Sequence, residues 1–187
     1  MRILLPFVIA ALSLPAQLGA AQPIGVPTFR SVQLTAGGDL SIVHGPVQRV
    51  TLLNGSTDMT SFRVDREGRL TIRTSCDRRC PHEYNLRIQI ESPRVPDIAV
   101  QAGGTIRVAP GFAPQRDLSA AIDAGGTIDA RALPVDSVSA AVNAGGDIYV
   151  RARNRLNAAV NAGGDIHYSG NPQVSMAVAN GGNVSRD

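Results

Sequence analysis

The chain has no lysine and no tryptophan, and only two cysteines. Every strongly basic side chain is therefore an arginine. Aromatic residues make up 4% of the sequence, so a stacking platform for bases or sugar rings is poorly supplied. The formal charge is +3, or +2 without Arg2. That balance is too mild for a nucleic-acid partner, and the arginines alternate with Asp and Glu instead of forming a block. No serine sits in a nucleophile elbow, and His44, His82 and His167 stand in unrelated contexts. No catalytic residue, cofactor or resident metal is expected.

Long apolar runs are absent after the first 21 residues. Those residues have three parts: Met1-Arg2, an apolar run from Ile3 to Leu14, and the small residues Ala16, Gly19, Ala20 and Ala21. This is the layout of a secretory signal peptide, cut between Ala21 and Gln22. The run is shorter than the roughly 20 residues that span a bilayer. No cysteine lies near the cut for a lipid anchor. The expectation is a periplasmic, secreted or cell-surface chain over 22–187, with no transmembrane segment after cleavage.

What the sequence has in quantity is glycine, and it is ordered. Ala102-Gly103-Gly104-Thr105-Ile106 recurs as Ala124-Gly125-Gly126-Thr127-Ile128, Ala144-Gly145-Gly146-Asp147-Ile148 and Ala162-Gly163-Gly164-Asp165-Ile166. Asn180-Gly181-Gly182-Asn183-Val184 is the last copy and Ala36-Gly37-Gly38-Asp39-Leu40 an isolated early one. From Gly103 the steps between copies are 22, 20, 18 and 18 residues. A step near 20 is too short for a helix pair and suits one coil of a β-solenoid.

The flanks support that reading. Val100, Ile122, Val142, Val160 and Val178 stand three residues before each first glycine, and Ile106, Ile128, Ile148, Ile166 and Val184 three after it. They share one parity with Ala102, Ala124, Ala144 and Ala162, so in extended chain they face one way and stack into a core. The other parity is polar and faces solvent. The glycines read as coil corners. A phosphate loop would need a following helix, and an Ile-containing strand follows every copy.

Four residues before each first glycine stand Ala99, Ala121, Ala141, Ala159 and Ala177, on the outward parity. This strip of small residues is either covered by another segment or a face for self-association or docking. Asp147 and Asp165 stack one coil apart, about 4.8 Å. They are two solvated corner aspartates, the holders of a cation such as Ca²⁺, or an acid/base pair; Thr105, Thr127 and Asn183 at the equivalent positions favour the first.

Between Gln22 and Ile98 the sequence reads as strands at Ser31–Leu34, Asp39–Val43, Gln48–Leu53, Ser61–Asp65, Arg69–Thr74 and Asn85–Glu91. Gly37 lies 66 residues before Gly103, room for about three coils or for antiparallel strands that cap the stack. Cys76 and Cys80 flank a short loop here. In an oxidising compartment such a pair closes a disulfide, worth about 2 kcal/mol for so short a loop. Zinc binding with His82 and a redox role are the weaker readings of the same pair.

Phe29 with Val32-Gln33-Leu34, then Glu67-Gly68-Arg69-Leu70-Thr71-Ile72, then the Ala-Gly-Gly-Asp-Ile rungs, resembles the GIN domain family over roughly Phe29 to Val184. That family is a domain of unknown function in exported bacterial proteins, described as a putative autotransporter adhesin head. The resemblance implies a β-solenoid outside the cytoplasm and brings no catalytic site. The expected architecture is all-β: a single GIN-like parallel β-solenoid over 22–187, with a β-rich half at 22–98 and regular repeats at 99–187. The expected role is a non-catalytic module binding an unidentified envelope, matrix or protein partner, or itself. The alternatives are a carbohydrate-active β-helix protein and a Ca²⁺-stabilised structural solenoid.

Overall fold

Alternating aliphatic and polar residues broken by Gly-Gly favour extended chain with sharp corners. The computed structural model, which describes residues 21–35, 37–75 and 84–187, has that form. Its fifteen strands are β1 Gln22–Ile24, β2 Ser31–Leu34, β3 Asp39–His44, β4 Arg49–Asn54, β5 Thr60–Val64, β6 Arg69–Thr74, β7 Arg87–Ser92, β8 Asp97–Ala102, β9 Thr105–Val108, β10 Gln115–Ala124, β11 Thr127–Ala144, β12 Asp147–Ala162, β13 Asp165–Ser169, β14 Gln173–Val178 and β15 Asn183–Arg186. Among the described residues there is no helix. Cys76, Cys80, His82 and residues 1–20 of the expected signal peptide 1–21 lie outside the described residues, as does Ala36.

Each coil has a trailing arm that runs up to the Gly-Gly corner and a leading arm that leaves it. Trailing arms pair in parallel and in register: Val100 with Ile122, Ile122 with Val142, Val142 with Val160, and Val160 with Val178. Leading arms do the same through Ile106, Ile128, Ile148, Ile166 and Val184. Like therefore stacks on like, and the aliphatic core is continuous. Ile122, Ile128, Val142, Ile148, Val160 and Ile166 are all fully buried.

Where consecutive coils differ in length, the surplus is absorbed between the arms. β11 and β12 slip register between Ala130 and Pro134 and again between Val135 and Ser137. The first slip gives β11 three extra residues and the second gives β12 one. The net two residues are the difference between steps of 20 and 18.

The early rung is not isolated in space. β2 pairs with β8 and β3 with β9, both in parallel, so the corner at Gly38 lies directly against that at Gly104. Thr105 N–H donates to the Gly38 carbonyl at 2.8 Å. The intervening residues hold both things the sequence allowed. β6 and β7 form one more coil, parallel to β2 and β3. Around it β5 and β4 turn antiparallel, and β1 extends β4. The chain thus builds its second coil first, folds back to make the capped end, and then stacks outward from β8. Residues 22–98 and 99–187 share one sheet.

The far end is different. β14 and β15 each pair on one side only among the described residues. Met176 and Val178 hold the inward parity yet are 56% and 44% exposed. No helix of the described residues is long and apolar enough to cross a membrane.

Candidate functional site

The Gly-Gly corners come first, because they set every outward row. All ten glycines from Gly103 to Gly182 in the five rungs have positive φ. A Cβ on the first glycine of each pair, at Gly103, Gly125, Gly145, Gly163 or Gly181, meets nothing within 4 Å. A Cβ on Gly146 would lie 2.7 Å from the Gly126 carbonyl oxygen, and Gly104, Gly126, Gly164 and Gly182 are equally crowded. The inward glycine is therefore the second, which shares its parity with Val100 and Ile106. Ala102, Ala124, Ala144 and Ala162, on that same parity, are exposed instead of buried. Two successive left-handed residues rotate the chain, so strict alternation ends one residue before the corner.

The corner amides are also occupied. Gly125 N–H donates to Ala144 O at 3.0 Å, while Asp147 N–H donates to Gly126 O at 3.0 Å. The same pair of bonds joins the coils on either side. These groups bind the stack together and are not turned to an anion.

On the trailing arms the outward rows are ordered by type. Ala99, Ala121, Ala141, Ala159 and Ala177 stand in register across five coils. The first four are partly exposed and Ala177 is exposed, so the strip is not covered by the described residues. On its corner side runs an amide ladder: Asn161 Nδ2 donates to Asn143 Oδ1 at 2.7 Å, and Asn143 Nδ2 to Asp123 Oδ1 at 2.9 Å. On its other side runs an exposed row of Ser119, Ser139, Asn157 and Ser175. The result is a row of methyl groups between two polar rows.

The leading arms carry a second arrangement. Asp147 and Asp165 are in register, and His167 joins them, with one donor atom of each residue within 4.8 Å of the others. The imidazole, which spacing along the chain did not bring to this pair, makes the donor set more suited to a divalent transition ion than to Ca²⁺. The His167 ring stacks on Tyr149 at 4.7 Å, and the Arg131 guanidinium lies over the other part of the row, 4.7 Å from the Tyr149 centroid. His167 Nδ1 lies 3.1 Å from Ser185 Oγ and 3.4 Å from Asp187 Oδ1. Arg131 also bonds both oxygens of Asp129, at 3.0 and 2.8 Å. That side-chain bond holds the Asp129 carboxyl below its ordinary range, against the opposing effect of burial.

Between the two arms lies a depression of about 460 Å³ lined by Arg116, Asp136, Ser137, Arg153, Asn154, Arg155, Asn171 and Gln173. It does not include Asp147 or Asp165. Sequence reading passed over it because the arginines alternate with other residues along the chain. The signal was Arg151-Ala152-Arg153-Asn154-Arg155, the densest arginine run in β12.

Residues 115–172 match the GIN domain family. Its description is "Putative auto-transporter adhesin, head GIN domain". The matched segment runs from the start of β10 to just before β14, and so contains three of the Gly-Gly corners and all the arginines of the depression. No curated protein matches the chain. Among solved structures, a putative adhesin from Bacteroides fragilis is 15% identical, with a TM-score of 0.48 over 92% of this chain and 99% of that one. A putative lipid binding protein from Parabacteroides distasonis is 14% identical, with a TM-score of 0.38 over 89% and 96%. A putative adhesin from Parabacteroides merdae is 11% identical, also at 0.38, over 89% and 95%.

Proposed function

We propose that the chain is an exported, non-catalytic β-solenoid module that binds an envelope, matrix or protein partner through the outward face of its trailing arms. The observation that carries this reading is the in-register Ala99–Ala121–Ala141–Ala159–Ala177 row between polar rows. A flat strip of methyl groups is weakly hydrated, and covering it releases water with little side-chain ordering. The adhesin-head description of the GIN segment supports a surface role in the same direction. Export by residues 1–21 and a Cys76–Cys80 disulfide belong to this reading, as does self-association through the same strip.

The test is sedimentation of the purified chain with envelope fractions, and its self-association in an analytical ultracentrifuge. Wild type binds, and the double variant Ala141→Arg/Ala159→Arg binds at least tenfold more weakly at an unchanged melting temperature. Unchanged binding and assembly in that variant would remove the alanine strip as the contact.

A further inference from the structure

The arginine-lined depression between the arms has not been given a role. Its charges are unbalanced: three arginines face one carboxylate, Asp136. Elsewhere Arg49, Arg69 and Arg131 each meet an acid, while others such as Arg63 and Arg151 stand singly among the described residues. Here Arg153 shares Asp136 at 3.4 Å, both groups about half exposed. Arg155 uses its Nε on Ser137 Oγ at 2.9 Å. Among the described residues Arg116 has no ion-pair partner.

The backbone gathers these groups. The second register slip sets Arg153 and Asn154 of β12 opposite the single residue Asp136, which is a β-bulge. Alternation would bury one residue in two, yet Arg153, Asn154 and Arg155 are exposed in succession. The lining residues then come from four successive coils: Arg116 on β10, Ser137 on β11, Arg155 on β12 and Gln173 on β14. Ser137 pairs with Arg155 and Arg155 with Gln173, so the site runs across the strands for about 14 Å at ordinary strand spacing.

We infer that this depression binds a segment of an acidic polysaccharide, one bearing carboxylate or sulfate groups on a hydroxylated chain. The inference rests on the reading of the chain as a binding module and names the ligand class for it. Guanidinium groups take the oxyanions in planar paired bonds. Asn154, Asn171, Gln173 and Ser137 supply the donors and acceptors that hydroxyl groups need. The volume lies in the usual range of ligand sites, and its length across four coils suits a chain better than a single ion. No lining residue is apolar or aromatic, which disfavours a lipid surface or stacked bases.

The test uses the full chain and calorimetric titration with oligogalacturonate, sulfated dextran, neutral dextran, inorganic phosphate and vesicles of anionic phospholipid. The expected result is salt-sensitive binding of one or both acidic glycans, none of neutral dextran, and at least tenfold weaker phosphate and vesicle binding. Arg153→Gln/Arg155→Gln lowers glycan affinity at least tenfold while the melting temperature holds. Arg116→Gln, on a separate strand, lowers it too and serves if the double variant is unstable. Binding that is absent, equal for neutral dextran, stronger for vesicles, or unchanged in these variants overturns the assignment. Envelope binding that survives Arg153→Gln/Arg155→Gln but is lost in Ala141→Arg/Ala159→Arg overturns it while leaving the broader function standing.

Discussion

At the scale of the residue, the Gly-Gly corner separates two requirements that look alike in sequence. Both glycines of each pair need a left-handed backbone, but only the second also needs the absence of a Cβ. Gly145 has φ of 71° and open space around it, whereas Gly146 has φ of 101° and the Gly126 carbonyl against it. Gly145→Ala carries only the conformational cost of a left-handed residue, about 1–2 kcal/mol. Gly146→Ala adds a backbone clash that the neighbouring coil must open to relieve, and Asp147 N–H loses its bond to Gly126 O in doing so. The expected loss there is above about 3 kcal/mol. Urea unfolding of the two single variants measures the difference; equal losses would show that the corner is not held by close coil contact. Asn180, a non-glycine at φ of 52° in the terminal rung, shows that asparagine is accepted at a left-handed position beside the corner.

The same corner marks the limit of what parity could read. Alternation gave the right buried set on each arm, from Val100 to Val160 and from Ile106 to Ile166, because both arms are extended. It failed for Ala102 and its equivalents, since a residue one step from two left-handed glycines no longer has a defined side. The bulge at Arg153-Asn154 was equally hidden. It arises from the length difference between two coils, which is visible in the steps of 20 and 18, but its position between the arms is set by where stacking can be given up.

At the scale of the element, the rows along the leading arms decide how neighbouring coils tolerate like charge. The row Thr105, Thr127, Asp147, Asp165, Asn183 puts two carboxylates opposite each other on β12 and β13. Like charges directly opposite are destabilising, by a few tenths to about 1 kcal/mol. Thr127 and Asn183 flank the pair with neutral groups, and both carboxylates keep contact with water. The expected outcome is that Asp165→Asn raises stability by about 0.5 kcal/mol, read from chemical denaturation with a chelator present, and that chelator alone leaves wild-type melting unchanged. If chelator lowers the melting temperature and Asp165→Asn abolishes that response, the pair with His167 holds a divalent ion instead. The neighbouring row behaves oppositely. Arg131, Tyr149 and His167 stack face upon face, and Asp129 anchors the arginine, so that row joins coils where the aspartate row strains them.

At the scale of the molecule, the two ends of the stack are unlike. The β6–β7 coil is flanked by antiparallel β4 and β5. There β1 is three residues long and holds Pro23, and β5 carries Arg63, both features that discourage further pairing. At the other end β14 has neither device and β15 has only its last residue, Arg186; residues 170–185 carry no formally charged side chain. This asymmetry was legible only in part. Polar residues surround the last rung, but they do not cover the apolar residues between them: Met176 and Val178 stay exposed.

In a stack where each coil touches its neighbours only, stability is a sum of coil and junction terms and falls toward an open end. One chemical change should therefore have two costs in the same row. Val142 is fully buried between Ile122 and Val160, so Val142→Ala removes packed methyl groups and leaves a cavity, a loss of about 2 kcal/mol or more. Val178 has a coil on one side and is 44% exposed, so Val178→Ala should cost under about 1 kcal/mol. Hydrogen exchange extends the comparison along the whole stack. Amides of β14 and β15 should exchange by local opening well before those of β10 and β11, whose ladders are paired on both sides. Equal protection of β14 and β11, with equal costs at Val178 and Val142, would mean that the terminal coil is covered in solution. The contact responsible would then lie on Met176 and Val178, apart from both the alanine strip and the arginine site.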